Sequence, residues 1–326
     1  MGRRLSITLT PRQYERIAQV ALASLTLIVM TGAAVRLTRS GLGCPDWPRC
    51  YGRAYPPLNT NALIEFANRI LSGFVGLAAI AAGALALRRR PYRRDLAVLG
   101  ILLPLGVVAQ AVLGGFTVRH HLAPGFVMAH FGLSMLILVA AASLAWRAGH
   151  EPRSRPRTDD RLVVWSVRLL APLAAIAIFA GTAATAAGPH AGGSAGQVIR
   201  RLTFEGRDTL AWTIHAHGLI ASVLGVAAVG VWALLRARGA DPILRRSVTA
   251  VCLLLLAQGV VGGLQYLTHL PAEVVWVHVT LASLTWLTVL WAVAAAGRLT
   301  PRRSPSTEPA AALDRAAAAP RAPASA

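Results

Sequence analysis

Apolar residues run along this chain in long blocks, with the polar residues gathered between them. Eight blocks each approach the ~20 residues that an α-helix needs to cross the hydrocarbon of a bilayer. They span roughly 17–35, 66–87, 96–118, 122–146, 162–187, 209–235, 247–267 and 273–297. The pattern predicts an all-α membrane protein of eight transmembrane helices. The first block has the basic flank of a signal peptide, and Arg3-Arg4 hint at a twin-arginine signal. Its apolar run is longer than a signal's, however, and seven more spans follow, so a retained first helix is expected. Pro104 should kink the third span, neighbouring helices satisfying the freed carbonyl.

The blocks repeat. Residues 109–130, AQAVLGGFTVRHHLAPGFVMAH, align without a gap to residues 257–278, AQGVVGGLQYLTHLPAEVVWVH, at an offset of 148. The register matches Gln110 with Gln258, Gly114-Gly115 with Gly262-Gly263, His121 with His269 and His130 with His278. The chain therefore reads as two four-helix bundles. Each has an even number of spans, which makes the repeat parallel rather than inverted. The glycine pairs allow close approach of a second helix or a flat ligand. The expected organisation is an N-terminal segment 1–16, a first half 17–146 with an outside loop 36–62, a linker 147–161, a second half 162–297 and a disordered tail 298–326.

Charge sharpens this picture. The net charge is +20, and no lysine is present, which excludes Schiff-base chemistry. Arginines cluster at the N-terminus, at 88–94, 147–161 and 236–246, and after 298. With eight spans these segments share one face, as the positive-inside rule requires. The expectation is a multi-pass cell-membrane protein with both termini cytoplasmic and the bilayer, not nucleic acid, as its partner.

Polar residues inside the spans come next, since such groups in hydrocarbon need a partner or a purpose. His130 and His278 lie about two turns into the fourth and eighth spans. The sixth span opens with His215 and His217, and the second with Glu65, Asn68 and Arg69. By the repeat, Asn68 falls opposite the His215–His217 region. Paired imidazoles from facing helices beside glycine pairs suit the two axial positions of a haem iron; zinc would require three or four ligands. His215 and His217 point in different directions on a helix, and His215 is the preferred ligand. Arg36, Arg39, Arg119, Arg200 and Arg201 lie toward the outside, where haem propionates would meet them. Glu65 stands one turn from Arg69, and an intrahelical pair is the plain alternative to a role in proton transfer.

Cys44 and Cys50 fall in the first outside loop, where a disulfide persists. Two free thiols are the plain alternative; a bridge, the expected form in a loop rich in proline and glycine, is either structural or redox-active. Cys252 lies within the seventh span as a packing residue.

TGAAVRLTRSGLGCPDWPRC, residues 31–50, resembles the signature of the haem A synthase family, and the likeness continues through IEFANR, LAPGFVMAH and LPAEVVWVH. It covers the eight spans and not the tail. The resemblance implies conversion of haem O to haem A, a ring methyl being oxidised to a formyl by successive hydroxylations, in support of cytochrome oxidase assembly. It implies a haem b cofactor in the second half on the span-six histidine and His278, haem O as substrate near His130, Asn68 and Arg69, and a reaction that needs a carboxylate at Glu65. It also implies functional links to the enzyme that makes haem O and to an electron donor that the sequence does not identify; homo-oligomerisation is left open. Asn68 departs from the family, which often has a histidine there. Either the substrate is then held by His130 alone, with an open position on its iron, or His120 or His121 substitutes, or the activity is altered. The competing reading is a di-haem b-type electron carrier without chemistry on haem. A transporter would predict broken helices or inverted repeats at mid-membrane depth.

Overall fold

The computed structural model describes residues 8–194, 196–206 and 208–300. Eight helices fill them: α1 (Pro11–Leu37), α2 (Thr60–Ala86), α3 (Arg94–Arg119), α4 (Pro124–Gly149), α5 (Arg161–Ala187), α6 (Thr209–Ala237), α7 (Pro242–Leu267) and α8 (Ala272–Ala295). All eight are long and apolar enough to cross a membrane. Several begin before their apolar blocks because a polar cap lies further upstream. Thr10 and Gln13 form a reciprocal capping box ahead of Pro11, so α1 starts there rather than at 17. Asn59 accepts from the Ala62 N–H and starts α2 at Thr60 rather than 66. Asp160, Asp208 and Asp241 cap α5, α6 and α7 in the same way. Pro104 sits inside α3, which continues through it.

Helix contacts close two rings, α1–α2–α3–α4 and α5–α6–α7–α8, which meet along α1, α4, α5 and α8. Between lipid tails and helices there is no hydrophobic gradient, so small residues and polar bonds carry the packing. Ala18 and Ala21 of α1, Ala141 of α4 and Ala292 of α8 are buried in one shared core. Trp286 donates from Nε1 to the Met135 carbonyl at 3.1 Å, and Trp276 to the Met30 carbonyl at 3.0 Å, tying α8 to α4 and α1.

The duplication is visible residue by residue. His130 and His278 are each the seventh residue of their helices, and Asn68 and His217 each the ninth. The turns before α4 and α8 place His121-Leu122 and His269-Leu270 alike in the left-handed region, at φ 50° and 57°, and 61° and 63°.

At the arginine-rich end, Arg89 is fully buried and pairs with Glu151. Asp95 pairs with Arg93 at 2.9 Å and Arg155 at 2.8 Å. Here the tail expected from 298 needs a correction. Arg298–Leu299 forms a short strand, β2, parallel to β1 (Arg157–Thr158), because the linker offers it unpaired backbone groups. Residues 301–326, the rest of that tail, lie outside the described residues, as do Arg3 and Arg4.

Candidate functional site

A cavity of about 1460 Å³ reaches from the end opposite the arginine cluster into both rings. It exceeds the roughly 300–1,000 Å³ of an ordinary small-molecule pocket. Its wall carries His130 and Asn68 from the first ring and His217 and His278 from the second.

In the second ring, the His217 and His278 rings face each other edge-on with centroids 6.1 Å apart. His217 Nδ1 lies 3.0 Å from the Ala177 carbonyl of α5. A carbonyl only accepts, so Nδ1 carries the proton and Nε2 is left as the free lone pair. Such a backbone bond is what fixes the tautomer of a metal-ligating histidine. Two metal–imidazole bonds of about 2 Å each, plus the ring radii, span roughly this separation. The pair fits an iron porphyrin, and the apolar lining fits its faces. The sequence prefers His215 as the partner of His278; the structure sets His217, not His215, opposite the His278 ring. His215 is exposed and its Nδ1 is spent on the Ala211 carbonyl of its own helix at 2.8 Å. Two positions apart on a helix, the two rings point nearly opposite ways, and only His217 looks toward His278.

In the first ring, His130 stands at the depth of His278, with Asn68 in the place of His217. Among the described residues, His130 Nδ1, His278 Nδ1 and Asn68 Oδ1 are buried without a hydrogen-bond partner. The first glycine of each repeated pair clears the next helix's imidazole: a methyl on Gly114 would stand 3.4 Å from His130 Cε1, and on Gly262 3.3 Å from His278 Cε1. Gln110 locks α4 by donating to the His130 carbonyl at 2.9 Å and to Ser134 at 2.6 Å. His120, a suggested substitute ligand, is stacked on Phe126 at 4.5 Å, and neither it nor His121 lines the cavity.

Over this ring lies the loop of residues 38–59. Cys44 and Cys50 are joined as a disulfide. Glu65, buried on α2, accepts from the Cys44 N–H at 2.9 Å and from Arg69 at 2.5 Å. Arg69 lines the cavity, and its guanidinium is engaged by the loop. It donates to the carbonyls of Asp46 at 3.0 Å, Arg49 at 2.9 Å and Cys44 at 3.3 Å. The glycine-rich turn permits this docking: a methyl on Gly43 would fall 2.3 Å from the Asn61 carbonyl oxygen. Trp47 then reaches into the cavity wall and lies against Gly115 of α3. The sequence carried one hint of that contact, a tryptophan in a loop long enough to fold back over a glycine pair.

Arg36 crosses from α1 to the second ring and donates to the Thr185 carbonyl of α5 at 2.8 Å. It lines the cavity, and its Nε is buried without a partner among the described residues. A buried guanidinium with no carboxylate beside it suits an anionic ligand group. Arg201 is instead committed to the Gly188 and Pro189 carbonyls, and Arg39, Arg119 and Arg200 do not line the cavity. The roof also couples the rings, a feature with no sequence signal. The α5–α6 loop binds the first ring's loop through Gly41 N–H to the Gly192 carbonyl at 2.8 Å and Asn61 to Ser194 at 2.9 Å.

Fold and cavity together define a class: a polytopic helical membrane protein with an apolar chamber walled by duplicated imidazoles under a cross-linked loop. The chain belongs to the COX15-CtaA family of cytochrome oxidase assembly proteins, whose family model matches residues 15–290. It is similar to the heme A synthase of Shewanella oneidensis, 31% identical over 189 residues, covering 51% of this chain and 53% of that one. It is also similar to the heme A synthases of Lysinibacillus sphaericus, 31% identical over 41% of this chain and 44% of the relative, and of Bacillus pumilus, 32% identical over 44% and 47%. The chain spans about half the length of these relatives.

Proposed function

We propose that this chain is a haem A synthase of the cell membrane, its termini cytoplasmic and the disulfide loop outside, oxidising a ring methyl of haem O to the formyl of haem A by successive hydroxylations. The observation that carries this reading is the asymmetry of the duplicated site: two imidazoles face each other in the second ring, one imidazole and an amide in the first. His217 and His278 hold haem b, and a bis-histidine iron is a closed centre suited to electron transfer. His130 binds the iron of haem O, Asn68 being a poor ligand, which leaves that iron an open position. Arg36 meets a porphyrin carboxylate. Glu65 is the acid–base group on the cavity wall, held by Arg69 and the Cys44 N–H. The disulfide loop and Trp47 keep water from the first ring.

Expression beside a source of haem O, followed by chromatography of the extracted haems, tests the assignment. Haem A or hydroxylated haem O is expected. Haem B alone would instead favour a di-haem electron carrier. Glu65→Gln should abolish turnover and keep the haem absorbance; full activity in that variant would reduce Glu65 to a loop anchor.

A further inference from the structure

Because the two rings repeat each other, their differences at matched positions are informative. A methyl on Gly218 of α6 or Gly263 of α7 would meet nothing within 4 Å, and both glycines line the cavity. The matched positions of the first ring are Arg69 and Gly115, where the pinned loop and Trp47 fill the space. The seam closed in the first ring is thus open in the second. Leu219 and Leu256 line the same cavity while 68% and 66% exposed, so the α6–α7 seam is a mouth facing the lipid.

Polar groups at this mouth are unspent. His215 lines it, and with Nδ1 bound to the Ala211 carbonyl its Nε2 is a free acceptor. Tyr266 lines it from α7 and is 54% exposed. Gln258 and Gln265 each bury an Oε1 without a partner among the described residues. Gln258 is the match of Gln110, but the hydroxyl that receives the Gln110 amide, Ser134, is replaced here by Ala282. Such groups in hydrocarbon are costly unless a ligand satisfies them.

We propose that the α6–α7 mouth binds the head ring of a membrane quinone, in its quinol or quinone form, with the apolar tail lying along Leu219 and Leu256. A flat ring fits the side-chain-free wall of Gly218 and Gly263. His215 Nε2 accepts from a quinol hydroxyl, and the Tyr266 hydroxyl donates to a ring oxygen. The proposal rests on the haem O oxidation above, whose stoichiometry it matches. With dioxygen, R–CH3 takes up O2, two electrons and two protons to give R–CH2OH and water, and one quinol becomes quinone. With water as the oxygen source, R–CH3 and H2O give R–CH2OH, two electrons and two protons, and one quinone becomes quinol. The same couple balances either route.

The test uses the purified full chain in nanodiscs, photolabelled with an azidobenzoquinone bearing a decyl tail and competed with decylquinone. Label should map to residues 209–237 and 242–267. His215→Ala and Tyr266→Phe should each weaken competition about tenfold while leaving the haem absorbance intact. Label elsewhere, or unchanged competition in both variants, overturns the site. Loss of haem absorbance in His215→Ala also overturns it, since His215 would then be an iron ligand. A chain that makes haem A but takes no label sinks only the quinone site; one that labels but makes no haem A sinks only the synthase reading.

Discussion

Replacing Arg69 with methionine should release the disulfide loop while leaving the helical rings intact. The wild-type guanidinium makes two well-formed bonds to loop carbonyls, at 3.0 and 2.9 Å, a longer one at 3.3 Å, and the 2.5 Å contact to Glu65. A hydrogen bond to a charged group contributes about 1.5–3 kcal/mol. The Arg69 side chain is 17% exposed, so solvent returns part of that. Its loss also leaves the buried Glu65 carboxylate without its cationic partner. Two bonds at the low end plus the stranded carboxylate give roughly 3–5 kcal/mol, or about two to four powers of ten in the equilibrium for loop opening. Arg49 and Arg53 are exposed trypsin sites within this loop. If the loop recloses quickly relative to cleavage, the nicking rate follows that equilibrium. After reduction, gels should show nicking at Arg49 accelerated at least about a hundredfold, with far-UV circular dichroism unchanged. Arg69→Lys, one charge without the fork, should fall between. A rise of less than about fivefold in the methionine variant would show that the loop is held by something else.

Three further outcomes follow from the same geometry. His217→Ala should abolish the low-spin haem absorbance of the purified chain, and His215→Ala should keep it; the reverse result would return the ligand role to His215. Asn68→His should add a second bis-histidine spectrum to the haem-loaded chain; an unchanged spectrum, or one already bis-histidine at both sites in the parent, would refute the open-iron reading. Asp46 supplies a pH dependence. Partial burial pushes its carboxyl up, but the Gly52 and Tyr51 N–H groups, at 2.7 and 2.6 Å, outweigh burial and hold it below the ordinary value. A depressed folded pKa stabilises the loop above the unfolded value of about 3.9 and loses that contribution as pH falls through the folded one. Acrylamide quenching of Trp47 should therefore stay flat down to about pH 4 and rise below it, and Asp46→Asn should flatten the curve; a step near neutrality would contradict this.

The spans were legible because membrane thickness imposes one length on every helix, and the shared depth of His130 and His278 followed from the repeat alone. Which of His215 and His217 faces His278 was not legible. It depends on which face of α6 looks inward, and a span apolar all round carries no such marker. Glu65 and Arg69 were visible as a pair one turn apart, and that pair is present. The loop carbonyls that claim the rest of Arg69 come from about twenty residues away and have no side-chain signature. Trp47 against Gly115 and Gln110 against Ser134 are likewise facts of tertiary contact. The cysteine bridge was legible from its spacing in a loop rich in proline and glycine, but not that its Cys44 N–H would serve as a clamp on Glu65.

The divergence of the two rings has one physical logic on the proposed assignment. The second ring offers two opposed imidazoles, and two metal–nitrogen bonds retain a ligand without any cover, so its lateral seam can stay open. The first ring offers one imidazole beside Asn68, and a single bond retains a ligand less firmly. It is this ring that carries the disulfide, the Arg69 fork, the Glu65 clamp and Trp47. The covering loop does there what the second histidine does in the other ring. It also differs from that histidine in being reversible, since a few kcal/mol of hydrogen bonds open on timescales that metal-bound retention does not allow. A site that must exchange its occupant at every turnover is served by a pinned loop; a site that keeps its occupant is served by a second ligand.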